Sequence, residues 1–464
     1  MLVRIVYFGM WGDSMNDFFT YSKEVKLQKT IRVLVYPNIT YLKDLKKDSY
    51  IQAIKSQVSV LNEIRDDLWF HLILPEPVDD LNFKNVSQHF QSFPSYIPAM
   101  RVHFNTFDFH KNVSKKFDFD LVMSHLPEHT HQIKNMFFNK THHWPKIFGY
   151  CHWFDFKNTA TWEVSSFNQN ITGLLEYDRC YLNTEYQKQL VLSEMKDTFN
   201  QTTIDKVDKI LKVQYLGVQE SDILEKANEN TDKIIVFNHR PEEYKDFNNF
   251  MSIMDELRKQ RQDFKVWIPL LNKPNRDYVI TDKFEKSGYY EKLSKCRVGF
   301  SPKQKYGGWS VATTDGLMNG TPYIMYDESY YEELQSNAEF FKTNSQAIDL
   351  LNKHLDDNNH RNKMGNRALD WMREKLLFRD NMGEMSDYID KLIEKLPTLK
   401  KSVKINDIKT MIKESNGITK EELIRKLRWG GGITWTPYRR ALMKDSNIYD
   451  VNDVTPTYHW REND

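Results

Sequence analysis

Lys233-Ile234-Ile235-Val236-Phe237-Asn238-His239-Arg240-Pro241-Glu242-Glu243-Tyr244-Lys245-Asp246-Phe247 is the stretch on which the reading of this chain turns. An apolar run too short for a helix breaks into a charged loop carrying a proline. Asn248 to Arg261 follows with helical spacing, and Phe264-Lys265-Val266-Trp267-Ile268 reads as the next strand. Strand, loop, helix and strand make one α/β unit, and such units bind ligands in the loop beyond the strand's carboxyl end. That loop holds Arg240 and Lys245, five residues apart. Two cations converging at a strand end suit a diphosphate, because each offers charge-assisted bonds to phosphate oxygens. On spacing alone, a plain solvated loop with an ion pair to Glu242 or Glu243 competes with that reading.

The unit continues towards the C-terminus. Tyr289 to Ser294 is helical, Arg297-Val298-Gly299-Phe300 is a strand, and Tyr323-Ile324-Met325-Tyr326 is another. Between the two strands, Gly307-Gly308-Trp309-Ser310 precedes a predicted helix. Adjacent glycines there free backbone N–H groups to approach an anion at the helix N-terminus. Asp315 is expected about two turns into that helix, where it can accept hydrogen bonds from ribose hydroxyls. The plainer alternative is a tight turn before a packed helix, with Gly320-Thr321-Pro322 as its stop. This second α/β domain is placed at 216–375, followed by a connecting segment 376–400 whose charged helix runs from Asp380 to Glu394.

Towards the N-terminus, strands are predicted at Val3–Phe8, Ile31–Tyr36, Trp69–Leu74, Phe119–Met123 and Lys146–Tyr150. Helical stretches at Ser14–Gln28 and Ile51–Ile64 alternate with them. The expected fold class is therefore α/β, two Rossmann-like doubly wound domains, the first spanning 1–215. A cleft between the C-terminal edges of the two sheets is the expected ligand site.

With both loops in view, the second domain resembles the nucleotide-sugar domain of GT-B glycosyltransferases. The resemblance is to the retaining family 4 group, which includes glycogen-synthase-like and sucrose-synthase-like enzymes, and it covers roughly residues 140–345. That group carries an Arg and a Lys five residues apart after the first strand of its second domain, matched by Arg240 and Lys245. It also carries two acidic residues separated by seven others, the second lying six residues before a Thr-Pro. Asp315 takes that second position; Gly307 stands at the first, where the family has a carboxylate. Trp309 replaces a smaller aromatic.

The resemblance implies transfer of a sugar from a nucleoside-diphosphate donor, a UDP-sugar such as UDP-glucose, to an acceptor hydroxyl. Arg240 and Lys245 would stabilise the leaving diphosphate, Gly307, Gly308, Trp309 and Ser310 would cradle phosphate and sugar, and Asp315 would hold the ribose. Lys146-Ile147-Phe148-Gly149-Tyr150-Cys151-His152-Trp153-Phe154-Asp155 resembles the family strand whose terminal His faces the donor sugar. It implies His152 as a hydrogen-bonding group there and Asp155 as a base or acceptor-orienting group. From the residues alone, a structural His with a nearby Asp is the alternative. Leu182-Asn183-Thr184-Glu185-Tyr186 and Leu216-Gly217-Val218-Gln219 match family landmarks. Gly9-Met10-Trp11-Gly12-Asp13 lies where such enzymes approach the diphosphate or the acceptor.

Composition limits the partners. Among 464 residues, 65 Lys and Arg balance 64 Asp and Glu, so a polybasic nucleic-acid binder is excluded and any such contact must be local. Residues 401–464 offer a candidate. Helices are predicted at Ile405–Glu414 and Thr419–Leu427, the second opening on a Thr419/Glu422 capping box. A third starts at Thr436-Pro437, and Ile448-Tyr449 with Thr457-Tyr458-His459-Trp460 reads as a hairpin. That is the order of a winged helix. Arg425, Lys426, Arg428, Tyr438, Arg439 and Arg440, interleaved with Trp429 and Trp435, are the candidate nucleic-acid contacts. A protein-interaction wing or a stabilising cap is the alternative. Joined to a sugar transferase, the module looks like that of phage enzymes that glycosylate hydroxymethylated pyrimidines in their own DNA, which makes double-stranded DNA the expected partner. The competing readings are a glycan- or lipid-modifying transferase and a non-catalytic nucleic-acid-binding protein on a transferase scaffold.

Cys151, Cys180 and Cys296 are too scattered for a disulfide framework, no secretory leader or membrane-spanning run is read, and a cytoplasmic setting is expected, that of the host if phage-encoded. Among His125, His129, His131, His142 and His143 only the first two have helical i,i+4 spacing, with Pro127 between them. No metal and no cofactor beyond the nucleotide-sugar co-substrate are expected.

Overall fold

The computed structural model describes residues 31–39, 45, 48–90, 104–117, 119–141, 145–152, 154–156, 163–274, 276–304, 309–395, 405–415, 417–420, 422–423, 442, 448–450 and 457–460. The predicted strand Val3–Phe8, the loop Gly9–Asp13 and the helix Ser14–Gln28 lie outside them.

Among the described residues the first sheet holds seven parallel strands: β1 (Ile31–Tyr36), β2 (Leu68–Leu74), β3 (Val86–Phe90), β4 (Leu121–Ser124), β5 (Lys146–Tyr150), β6 (Arg179–Leu182) and β7 (Leu211–Val213). Their order is β3-β2-β1-β4-β5-β6-β7. Every residue of β1 is buried, as expected of a central parallel strand covered on both faces. Helices α1 (Ser49–Ile64), α2 (Pro127–Thr141), α3 (Glu163–Leu174), α4 (Glu185–Met195) and α5 (Gln201–Ile210) supply the crossovers. The order reverses between β1 and β4, so the crevice of this domain opens where Tyr36 and Ser124 end their strands.

The second sheet has six parallel strands: β8 (Asp232–Val236), β9 (Lys265–Trp267), β10 (Val279–Ile280), β11 (Cys296–Ser301), β12 (Tyr323–Tyr326) and β13 (Glu339–Phe341). Their order, β10-β9-β8-β11-β12-β13, reverses between β8 and β11. The loops after these two strands are those singled out above. Helices α6 (Phe247–Gln260), α7 (Lys286–Ser294), α8 (Val311–Met318), α9 (Asn344–Asp356) and α10 (Asn358–Lys375) flank the sheet.

The chain then returns to the first domain. Helix α11 (Phe378–Glu394) buries Phe378, Met382, Met385, Tyr388, Ile389 and Leu392 in the core formed by β1, β2 and α1. Its return runs beside the outward crossing: Val218 N–H donates to Leu376 O at 2.7 Å and Phe378 N–H to Val218 O at 3.0 Å. Beyond it, α12 (Ile405–Ser415) precedes a small antiparallel sheet of β14 (Ile418–Thr419), β15 (Ile448–Asp450) and β16 (Thr457–Trp460), in the order β14-β16-β15. The expected hairpin pairs Ile448 with Trp460, and Ile418–Thr419 adds a strand the sequence did not suggest. The Thr419/Glu422 capping box is formed. Arg425, Lys426, Arg428, Tyr438, Arg439 and Arg440 lie outside the described residues. Among those described, no helix is long and apolar enough to cross a membrane.

Candidate active site

The donor side is built on the loops that follow β8 and β11. Asn238, two residues beyond β8, is buried and fully engaged. Its amide donates to Tyr289 Oη at 2.9 Å and Ala312 O at 2.6 Å, and its carbonyl accepts from Tyr323 Oη at 2.9 Å. It thereby ties β8, α7, α8 and β12 together under the loop. His239 is buried beside it, 3.3 Å from Ser310 Oγ. Desolvation, aided by Lys245, pushes His239 down to about 3, so it stays neutral.

Arg240 is exposed, and the chain then makes a short turn over Glu243–Lys245 that ends on Asp246 at φ +50°. Lys245 donates to the side-chain oxygen of Gln304, a neutral acceptor carried by the β11 loop. Desolvation first, and then repulsion by Arg240, push Lys245 down to about 8. The two predicted cations are thus gathered at the switch point, close enough to repel. An arriving anion would relieve that repulsion.

Helix α8 begins at Val311 with Ser310 as its N-cap. Asp315 is therefore its fifth residue, little more than one turn in rather than two. The reason is Trp309. Its indole is buried, stacked on Trp371 at 5.4 Å and 20°, edge-on to Tyr215, and donates to Thr314 Oγ1 at 2.6 Å. That packing holds the chain extended through Ser310 (φ −99°, ψ 126°) before the helix can start. Gly307 and Gly308 lie outside the described residues. The helix ends as expected, on Gly320 at φ +68°, with Thr321 N–H donating back to Gly316 O at 3.0 Å.

Asp315 accepts from Tyr289 Oη at 3.4 Å, and desolvation pushes its carboxyl up to about 7. Asn238, Tyr289, Ala312 and Asp315 form the polar wall of a cavity of about 450 Å³, with Pro269, Leu270 and Phe284 on its apolar side. Leu270 and Phe284 are 51% and 46% exposed, an apolar ledge left open beside a carboxylate.

In the first domain, His152 follows β5 by two residues. Its Nε2 lies 3.3 Å from Nδ1 of His125, which immediately follows β4, and the two rings stack at 5.5 Å and 15°. Tyr50, at the start of α1, packs edge-on to His152 at 4.8 Å. Burial holds both imidazoles neutral, His125 at about 3, so a single proton serves the contact between them. Asp155 is buried three residues further on, its backbone N–H donating to Asn170 Oδ1 at 2.9 Å.

Between the domains, Glu185, Tyr186 and Gln189 of α4 face Glu333 and Gln335 of the second domain across a cavity of about 660 Å³. The residues before α4 leave the carboxyl end of β6, and Glu333 follows β12, so the C-terminal edges of the two sheets open onto a common cleft. Asn238, Tyr289 and Glu333 were not singled out from sequence, and His125 was weighed there only as a metal ligand. Each acts through partners distant along the chain, Asn238 and Tyr289 being 51 residues apart.

No protein-family model and no curated protein matches the chain. Solved structures do. A sucrose-phosphate synthase from Thermosynechococcus elongatus superposes with a TM-score of 0.62 at 9% identity, over 79% of this chain and 100% of that one. The N-terminal domain of trehalose-6-phosphate phosphatase from Candida albicans gives 0.58 at 11%, over 80% and 99%. HepE from Anabaena, in complex with UDP and glucose, gives 0.56 at 8%, over 78% and 99%. At these identities the likeness establishes architecture: two Rossmann-like domains in the GT-B arrangement.

Proposed function

We propose that this chain is a glycosyltransferase that moves a sugar from a nucleoside-diphosphate sugar, a UDP-sugar in the first instance, to an acceptor hydroxyl. The observation that carries the reading is the gathering of Arg240 and Lys245 at the β8/β11 switch point, beside a cavity with the chemistry of a nucleoside seat. The nucleobase lies on the Leu270/Phe284 ledge, and the ribose hydroxyls donate to the Asp315 carboxylate. The diphosphate reaches Arg240, Lys245 and the backbone N–H groups opening α8. HepE, which shares the fold, has been solved with UDP-glucose.

In the reaction the bond between the sugar's anomeric carbon and the β-phosphate oxygen breaks, and the acceptor oxygen bonds to that carbon. Negative charge grows on the leaving diphosphate, where two cations and a helix N-terminus are already oriented. The acceptor's proton leaves to Asp155 or to a phosphate oxygen. His152, kept neutral against His125, hydrogen-bonds the sugar. Closure of the cleft excludes water, whose attack would waste the donor. Incubation with a panel of UDP- and GDP-sugars should give donor hydrolysis, and Arg240→Ala should lower its rate by about 100-fold or more. No turnover with any donor, together with unchanged nucleotide affinity in Arg240→Ala, overturns the assignment and leaves a binding protein on a transferase scaffold.

For the acceptor we propose a hydroxymethylated pyrimidine in double-stranded DNA. The support is the C-terminal module. A helix, a short strand and a hairpin whose last strand lies between the other two is the strand order of a winged helix. From Lys400 to Asp464 there are thirteen Lys and Arg against nine Asp and Glu, a surplus of four. The base must leave the stack to reach the cleft, at a cost of about a few kcal/mol that binding of the flanking duplex can offset. Mass spectrometry of nucleosides from hydroxymethylated DNA treated with enzyme and donor should show a hexose or pentose adduct. Donor hydrolysis without any adduct points to a glycan or lipid acceptor instead.

A further inference from the structure

Far from the donor loops, Glu339, His354 and His360 meet at the opposite edge of the second sheet. Glu339 opens the edge strand β13 and pairs with Ile324, at the starting end of β12, whereas the donor loops leave the finishing ends of their strands. His354 lies in the last turn of α9 and His360 in the first turn of α10. A single residue, Asp357, joins the helices, and its carboxylate caps the His360 N–H at 2.9 Å. This abrupt turn brings the two imidazoles to one place.

Both imidazoles present Nε2 to the same carboxylate oxygen. Glu339 Oε2 lies 2.6 Å from His354 and 2.9 Å from His360, while Oε1 takes Lys353 Nζ at 3.0 Å. One ligand atom from each of the three residues lies within 4.8 Å of the others. A small opening of that triangle admits an ion with bonds of about 2.0–2.2 Å. Two imidazoles and a carboxylate suit zinc-class divalent ions; calcium and magnesium take oxygen ligands. The His354 side chain is buried, whereas those of Glu339 and His360 each stay 16% exposed, leaving a face through which an ion and a fourth, water ligand can enter.

We propose that Glu339, His354 and His360 form a structural site for a divalent transition-metal ion of the zinc class, fastening the edge strand β13 to the α9–α10 turn. The histidines weighed in the sequence all belong to the first domain; His354 and His360, five residues between them, have the histidine spacing of a zinc motif but no cysteine pair ahead of them to draw attention to it. Ligation through Nε2 puts the His354 proton on Nδ1, which is buried and has no hydrogen-bond partner among the described residues. With no outer support for that proton among the described residues, the site's affinity should be about 10–100-fold below that of a fully supported one.

The test uses the full chain, stripped with a chelator, reloaded with Zn²⁺ and dialysed. Elemental analysis should then find one equivalent of zinc, and Zn²⁺ should raise the melting temperature. Co²⁺ in its place should give the visible absorption of a nitrogen-ligated, low-coordinate ion. Glu339→Gln and His360→Ala should each abolish the retained zinc, the cobalt spectrum and the thermal shift, with donor hydrolysis unchanged; circular dichroism checks that both variants are folded. Absence of retained zinc and of a thermal shift in the unsubstituted chain would mean a hydrogen-bonded cluster only and overturns the site. Equal retention by both folded variants places the ion elsewhere and overturns it too.

Discussion

If Asp315 and Lys245 hold the donor as proposed, they set opposite pH limits on it. Asp315 must be ionised to accept from ribose hydroxyls, and burial has moved its carboxyl up to about 7. Lys245 must be charged to hold a phosphate, and burial beside Arg240 has moved it down to about 8. For the free enzyme, kcat/KM for the donor should therefore rise with pH through about 7 and fall again through about 8. Asp315→Asn should flatten the acid limb and Lys245→Arg the alkaline one; a profile unaltered by either removes both residues from the donor site. The stability signs differ. The raised Asp315 makes the folded chain lose stability as pH rises through about 7, and the lowered Lys245 makes it gain stability above about 8. Arg240, Lys245 and Asp315 were legible because each bears its chemistry at a strand end or on a helix that follows one. His125 was weighed only as a metal ligand, since nothing local shows that its imidazole stacks on another 27 residues away.

At the scale of elements, α8 depends on a glycine. A Cβ on Gly316 would sit inside the ring of Tyr323, whose hydroxyl holds Asn238. Alanine improves helix propensity by about 1 kcal/mol, but overpacking a closed site costs about 1–3 kcal/mol. Gly316→Ala should therefore lower the melting temperature and weaken nucleotide binding together, which thermal denaturation with and without UDP will check; unchanged values would show that Tyr323 has room to move. Long apolar runs such as Ile31–Tyr36 and Tyr323–Tyr326 announced their strands to the residue. Short edge strands did not: Val86–Phe90 mixes polar and apolar residues, and Glu339–Phe341 has only three. The start of α8 was misplaced because tertiary packing of Trp309, not local preference, decides where that helix begins.

At the scale of the whole molecule, the two ends of the C-terminal segment behave differently under truncation. Ending the chain at 400 should weaken DNA binding and spare donor hydrolysis; unchanged DNA affinity would remove the module's proposed role. Ending it at 375 deletes α11 and with it six buried apolar side chains of the first core. At about 2–5 kcal/mol for each large-to-small loss, the total is comparable to or larger than the roughly 5–15 kcal/mol by which a domain is stable. The shorter protein should be insoluble or unfolded in its first half. The returning helix also decides what the C-terminal module travels with. Ten residues, 395–404, lie between α11 and α12, so the module cannot start more than about 36 Å from the end of α11. If the module binds DNA as proposed, a bound duplex is joined through α11 to the half that carries His152 rather than to the half that carries Arg240 and Lys245. In that reading the acceptor's anchoring helix shares a core with the His152 half, and the donor half alone has to move to bring the sugar.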